Sequence, residues 1–373
     1  MITRFIKEIA VIRRSLLAER PRPLSLSVNI TGRCNLRCGL CEKGQSPSNN
    51  EIDVGDIKWL IDFACKNNMT VYLSGGEPFL HRSIWEILDY CRQVGKKISI
   101  VTNGSLLDGM TMEQFTLLGQ TINIMSISID SAVPAEHDRL RGMNGTFDRL
   151  MSFIRDERRT CRVGLNCILM NHLNGAAEMI DLAEKLGCSL NFLPLIFESN
   201  YPGQPRLELK KQFQQQLAAA TPDMANLRML QRRANLKSVV TNLSLISRYF
   251  ESYCRYAAGD SIFFDKLLKR FMCFTPLTQI IVDERGRLAP CVLFDGARHV
   301  RDGDLYENWL KQALNHRRRW IEGERYATCR ACSCHFADNY RASILSFPLA
   351  NFSSLPWLVS YYVRRVLHGE GRK

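Results

Sequence analysis

Three cysteines stand within eight residues, Cys34-Asn35-Leu36-Arg37-Cys38-Gly39-Leu40-Cys41, directly after the alternating apolar run from Leu24 to Ile30. Three close thiolates can hold three irons of a [4Fe-4S] cluster and leave the fourth iron open. A four-cysteine ferredoxin site only passes electrons, whereas an open iron binds a substrate or cosubstrate, so this spacing points to chemistry at the metal. Zinc is the competing reading. Zinc sites favour Cys-x2-Cys pairs closed by a fourth ligand, and none follows nearby.

A second cysteine set lies near the other end: Cys273, then Gly286 and Cys291, then Cys329-x2-Cys332 with Cys334 beyond. The segment from Ile280 to Cys291 reads as a hairpin turning at Glu284–Gly286, which presents Cys291 beside Cys273. Such an arrangement can close four thiolates around one site. On spacing alone, an iron–sulfur cluster and a zinc ribbon fit equally well.

Stepping from these residues to what must hold them, short β-branched runs alternate with amphipathic segments of helix length, the pattern of repeated βα units and a parallel sheet. Strands are expected near 25–31, 70–74, 98–102, 123–130, 162–169 and 190–195, with helices at 54–67, 82–94, 111–119, 145–159 and 175–187. The fold class is therefore α/β, a partial (β/α)6 TIM-type barrel followed by a small hairpin and helix domain. In such a barrel the active site forms in the loops leaving the C-terminal ends of the strands. The cysteine loop follows strand one, and Ser74-Gly75-Gly76-Glu77-Pro78 follows strand two, where the glycines admit a ligand closely and Glu77 offers an acceptor for an ammonium group. Thr102-Asn103-Gly104 ends the third strand and Ser126 to Asp130 the fourth. The segment Arg139-Leu140-Arg141-Gly142 comes next, and an arginine fork with the Ser128 hydroxyl suits a carboxylate.

The chain has 373 residues, 14 cysteines and a net charge of +13. Met1–Ala10 lacks the uninterrupted apolar core and small-residue cleavage site of an export signal, so the cysteines read as reduced, metal-handling thiols of a cytoplasmic protein. No run approaches the roughly 20 apolar residues that span a bilayer. The charge favours anionic partners without choosing among them. Cys65, Cys91, Cys161, Cys167 and Cys188 share no spacing and read as buried apolar thiols, and His81 and His335 as supporting groups at most.

With these residues assembled, the first two hundred or so resemble the radical S-adenosylmethionine (radical SAM) superfamily, on the Cys-x3-Cys-x2-Cys loop and the Gly75-Gly76-Glu77-Pro78 motif after the second strand. The resemblance implies that Cys34, Cys38 and Cys41 ligate a [4Fe-4S] cluster and that S-adenosylmethionine chelates its open iron. It assigns Gly75, Gly76 and Glu77 to the methionyl amine, and Ser128 and Arg141 to the carboxylate and ribose. One departure is Leu40, where an aromatic residue usually packs near the adenine. It further implies that one electron, from a donor such as flavodoxin or ferredoxin, releases a 5′-deoxyadenosyl radical that removes a substrate hydrogen atom. The C-terminal set is similar to the twitch and SPASM subgroups, which breaks the tie above for an auxiliary [4Fe-4S] cluster on Cys273, Cys291, Cys329 and Cys332, with Cys254 and Cys334 as spares. The implied division is an N-terminal amphipathic helix (1–24), a core barrel (25–204), a helical connector (205–270), an auxiliary domain (271–335) and a basic amphipathic tail (336–373).

The expected reaction is oxidation, epimerisation or cross-linking of a small molecule, such as a sugar or lipid-linked sugar, or of a peptide. About 24 residues precede strand one, too few for an independent peptide-recognition domain. The amphipathic ends suit a peripheral membrane contact, though packing against the barrel is favoured. The contrasting reading is a non-enzymatic iron–sulfur or zinc protein acting as a sensor or on nucleic acid. Nucleic acid is not favoured, because the basic residues are scattered and not interleaved with aromatics.

Overall fold

In the computed structural model, residues 18–39, 41–45, 47–169, 175–194, 275–291 and 296–321 are described. Six strands, β1 (Ser25–Thr31), β2 (Thr70–Gly75), β3 (Ile98–Thr102), β4 (Ile122–Ser128), β5 (Val163–Leu169) and β6 (Ser189–Pro194), lie side by side in chain order and pair in parallel. A seventh strand, β7 (Gln279–Val282), pairs in parallel with the free edge of β1, and β8 (Arg287–Ala289) and β9 (Arg298–His299) continue the sheet antiparallel. The C-terminal hairpin expected from the sequence thus forms, and it extends the barrel sheet directly. Its tight turn is tied by the buried Asp283, whose carboxylate accepts N–H bonds from Arg285, Arg287 and Gly296 at 2.9 Å each.

The strands alternate because one face is packed under helices. In β1, Leu26, Val28 and Ile30 are buried while Ser27 and Asn29 are half-buried on the other face. Helices α1 (Val54–Lys66), α2 (Ile84–Gln93), α3 (Met112–Thr121), α4 (Pro134–Arg141), α5 (Thr146–Arg155) and α6 (Ala176–Lys185) supply the covering layer. In α1 the buried residues are Ile57, Leu60, Ile61 and Ala64, the i, i+3, i+4, i+7 stripe of a helix packed on one side. Asp53 caps its start by accepting from Gly55 N, and Thr111 with Gln114 forms a capping box on α3.

Two helices of eight residues or more extend the expected set among the described residues. The Arg139–Arg141 segment, read from sequence as a loop, is the end of α4: Pro134 opens the helix and Gly142 closes it in the left-handed region at φ 69°. A long helix, α7 (Leu305–Ile321), seats Trp309 against β7, where its indole N–H donates to Gln279 O at 2.8 Å. Trp309 is 1% exposed. Trp309→Ala is expected to cost about 3–5 kcal/mol, read as a lower denaturation midpoint in urea, because it empties the joint between α7 and the sheet. An unchanged midpoint would show that α7 does not stabilise the hairpin.

Among the described residues no helix is long and apolar enough to cross a membrane. The amphipathic stretches expected at both ends fall, apart from residues 18–24, outside the described residues, as do the connector 205–270 and Cys254, Cys273, Cys329, Cys332, Cys334 and His335. Cys91, Cys161, Cys167 and Cys188 are buried as expected, but Cys65 is exposed. It follows Ala64, the last buried position of α1, and faces solvent.

Candidate functional site

The loops leaving β1, β2, β3 and β4 meet, and backbone hydrogen bonds join the first two. Gly76 N donates to Thr31 O at 2.7 Å and Glu77 N to Arg33 O at 2.8 Å. The contact is so close that a Cβ on Gly76 would lie 2.1 Å from Arg33 O, and one on Gly75, at φ 145°, 2.3 Å from Thr31 O. Only glycine satisfies either position.

The third strand braces the cysteine loop. Asn103 Nδ2 donates to Asn35 Oδ1 at 3.1 Å and points at Cys34 Sγ at 3.8 Å. Asn35 Nδ2 reaches Ser105 Oγ at 2.8 Å, and Ser105 Oγ returns to Asn103 Oδ1 at 2.7 Å. Leu36, 1% exposed, pins the loop's middle in the core. Arg33 crosses to Leu80 O and to Glu51. Sequence reading noted Asn103 as a strand end and missed its closed ring with Asn35 and Ser105, since that ring joins residues about 70 positions apart.

Glu77 takes a different part from the one its exposure in a turn would give it. It is fully buried, and its oxygens accept from Thr102 Oγ1 and Asn103 N at 2.7 Å each and from Phe79 N at 3.2 Å. The carboxylate therefore clamps the glycine loop to the end of β3. Burial pushes its pKa up to about 7 against the downward pull of those three donors. A carboxyl with a raised folded-state pKa stabilises the fold fully below its unfolded value and loses that contribution as pH rises through about 7. Relative to Glu77→Gln, the native chain is thus expected to lose on the order of 3 kcal/mol of unfolding free energy between pH 4.5 and 7. A pH-independent difference in paired denaturation curves would reject this.

On the fourth strand, Ser128 is half-buried at the C-terminal end, level with Asn166 on β5. Arg141 does not present a free fork: its NH2 pairs with Asp130 Oδ2 at 2.7 Å, with the two side chains 10% and 7% exposed. The α4 end that carries it abuts the cysteine loop, where Cys38 Sγ lies 3.6 Å from Arg141 O. His81 is a packing residue. Its Nδ1 accepts from Ser83 N at 3.1 Å, so Nε2 carries the proton and donates to Ile52 O at 2.9 Å.

Cys34 and Cys38 are half-buried and Cys41 is exposed. Burial raises the Cys34 thiol to about 11, and the charges of Cys41, Glu77 and Cys38 add to it. Cys38 is also raised by burial, against the opposing charge of Arg141. Buried thiols that resist ionisation on their own become good ligands once a cation supplies the compensating charge. No three His, Cys, Asp or Glu side chains among the described residues converge on a point for one metal ion. Three thiols carried on one loop are, by donor type, the set that three irons of a cluster take. Of the second cysteine set, Cys291 is described: it is 9% exposed, just beyond β8.

Residues 28–186 match the family model described as the radical SAM superfamily. The subtilosin biosynthesis protein AlbA of Bacillus subtilis (strain 168) is 32% identical over 173 residues, 45% of this chain and 38% of AlbA. The AdoMet-dependent heme synthase of Methanosarcina barkeri is 33% identical over 143 residues, 37% of this chain and 40% of the synthase. The chain thus spans about two-fifths of the length of these curated relatives. The PqqA peptide cyclase of Methylobacterium sp. (strain 4-46) is 22% identical but aligns over 84% of this chain and 79% of the cyclase. Among solved structures, SuiB of Streptococcus suis bound to its precursor peptide SuiA superposes with a TM-score of 0.57 at 18% identity, covering 84% of this chain and 72% of SuiB. The enzyme anSMEcpe with bound AdoMet and a peptide superposes at 0.51 and 16% identity, covering 92% and 99%. These likenesses are to the fold. Family match, parallel barrel and cysteine loop agree, and residues 28–186 of this chain are a domain of the radical SAM superfamily.

Proposed function

We propose that the chain is a radical SAM enzyme that removes a hydrogen atom from a carbon of a peptide substrate, leading to oxidation, epimerisation or cross-linking. The observation that carries the reading is the junction of the cysteine loop with the Gly75–Gly76 loop, backbone against backbone, at the C-terminal edge of the sheet. Cys34, Cys38 and Cys41 would hold the [4Fe-4S] cluster, and the backbone of Gly75, Gly76 and Glu77 would receive the methionyl amine of S-adenosyl-L-methionine. Ser128 offers a hydroxyl to the same ligand. When bound, cluster and cosubstrate supply a 5′-deoxyadenosyl radical after one-electron reduction by a flavodoxin or ferredoxin.

The chain's own work is to fix the two loops and exclude water. Thr102, Asn103 and Phe79 hold the Glu77 carboxylate, which ties the glycine loop to the end of β3. The Asn35–Ser105–Asn103 ring keeps Cys34 from turning away.

A peptide is favoured because the PqqA peptide cyclase aligns beyond the superfamily domain, across 84% of this chain, while AlbA and the heme synthase align over less than half. An auxiliary cluster on Cys273, Cys291, Cys329 and Cys332, within a domain at 271–335, belongs to the same proposal. The buried Cys291 at the end of the hairpin supports it.

The test is anaerobic reconstitution with iron and sulfide, followed by dithionite and S-adenosylmethionine. Formation of 5′-deoxyadenosine is expected. A fully loaded protein that forms none would refute the enzyme reading and leave the iron–sulfur binding protein in its place.

A further inference from the structure

The first half of the cysteine loop is fixed from within the barrel. Arg33 reaches Glu51 and Leu80 O, Asn35 joins Ser105 and Asn103, and Leu36 lies in the core. The last cysteine of the loop, Cys41, is exposed, and its backbone N–H donates to Cys38 O at 3.2 Å. Directly beyond it the chain makes one helical turn, Glu42–Gln45, that folds back on the loop: a Cβ on Gly44 would lie 3.0 Å from Cys38 N and 3.2 Å from Leu36 O. A contact that fixes this turn therefore also fixes Cys41.

Such a contact comes from the other end of the chain. Lys43 Nζ donates to Glu284 Oε1 across 241 positions of sequence, and the two side chains are 18% and 11% exposed. The sheet explains the meeting. β7 runs parallel to β1 with Val282 level with Val28, so the β7–β8 turn that carries Glu284 emerges at the same edge as the cysteine loop. Asp283 fixes that turn through its three N–H bonds and so gives Glu284 a rigid base. A second anchor pins the far side of the hairpin to α1. There Arg301 Nε donates to Asp56 Oδ1 at 2.6 Å and NH2 to Gly55 O at 3.0 Å, and the guanidinium lies 4.4 Å from the centre of the Trp59 ring. An ion pair as little exposed as Lys43–Glu284 is costly to break, because the remaining charge is left without its partner away from water.

We propose that Lys43 and Glu284 form a strut through which the C-terminal hairpin positions Cys41 as the third ligand of the first centre. The proposal rests on the iron–sulfur reading above. It makes the hairpin that leads to Cys291 a support of the three-cysteine loop, so that the third thiol is in place only when the hairpin is docked on β1. Lys43 and Glu284 are positioning residues on this view. Three thiolates must stand at one mutual spacing to serve one cluster, and partners that orient metal ligands from outside matter for that reason.

Two measurements on the full chain test the strut, and the first needs no metal. In the metal-free protein, hydrogen–deuterium exchange of the amides at residues 41–45 is expected to be at least about fivefold faster in Glu284→Met, between what an exposed and a buried ion pair would give. That substitution keeps the side-chain length, removes the acceptor and leaves the sequence of the observed segment unchanged. In the reconstituted, reduced protein, the share of the EPR signal that changes on adding S-adenosylmethionine is expected to fall by about twofold or more in the same variant. Exchanging the charges, Lys43→Glu with Glu284→Lys, should return both readouts toward native. Arg301→Gln, which loosens the other anchor of the hairpin, should leave both at native values.

Unchanged exchange at 41–45 in Glu284→Met overturns the proposal, as does a charge exchange that does not restore the readouts. So does an Arg301→Gln chain that loses as much as Glu284→Met, since the hairpin would then act by docking as a whole. Should Glu284→Met not fold, Lys43→Met breaks the same pair from the other side and is read in the same two ways. A native chain that loads no cluster responsive to S-adenosylmethionine would refute the proposed function itself, a result distinct from unchanged exchange in the metal-free protein.

Discussion

Serine at Cys34, Cys38 or Cys41 is expected to abolish 5′-deoxyadenosine formation while leaving the fold in place. The loss should exceed the roughly 10–100-fold that changes around a metal site cost, because a ligand itself is removed. Folding should survive because the loop is held by groups other than its thiols: Leu36 in the core, Arg33 on Glu51 and Leu80 O, and Asn35 on Ser105. The measurement pairs iron content and product formation with circular dichroism. With the proposed auxiliary cluster on Cys291 and its companions untouched, iron bound per chain should fall by the share of the first cluster and not to zero. Retained product formation in any one of the three variants would remove that cysteine from the ligand set.

The second large effect is expected from one methyl group. Gly76→Ala places a Cβ 2.1 Å from Arg33 O and 2.6 Å from Arg33 C, both backbone atoms with no rotamer to yield. Relief requires the glycine loop and cysteine loop to separate, which breaks the 2.7 and 2.8 Å hydrogen bonds that join them. We expect a stability loss of about 1–3 kcal/mol, typical of forced overpacking. On the proposed function, affinity for S-adenosylmethionine should fall by at least tenfold, because the backbone proposed to receive the amine and the cysteine loop would no longer be at one spacing. Isothermal titration of the reconstituted variant measures this. Native affinity together with native stability would show that the two loops need not touch.

A separation of those two losses would also be informative. Glu77, on the same loop, ties it to the end of β3 through Thr102 and Asn103. Glu77→Gln keeps the size and most of the hydrogen bonding, so its effect should appear in the pH dependence of stability far more than in ligand affinity. Gly76→Ala should do the reverse.

Much of the architecture was legible in the residues. Strand positions agree to within a residue or two because alternation in stretches such as Leu26, Val28 and Ile30 reports one buried face. Helices announced themselves by the spacing of Ile57, Leu60, Ile61 and Ala64 and by caps such as Asp53 and Thr111. The α4 helix was missed although Pro134 and Gly142 mark its ends, because its few apolar residues give no stripe. The hairpin at Asp283–Gly286 followed from turn chemistry, but its placement beside β1 did not, since β1 and β7 are about 250 residues apart in the chain.

The residue types at the site came from the sequence because spacing along one loop is a local property. The cysteine triplet and the glycine pair each lie on a single turn, and their chemistry needs no distant partner to be recognised. What each polar side chain does was decided by tertiary contact. Glu77, offered by the sequence as a free acceptor, is bonded to the end of β3, and Arg141, offered as a fork for a carboxylate, is paired through NH2 with Asp130. A buried charge must find its counter-ion or donors within hydrogen-bonding distance. Which residue supplies them depends on how the strands are laid side by side, and only the folded sheet settles that.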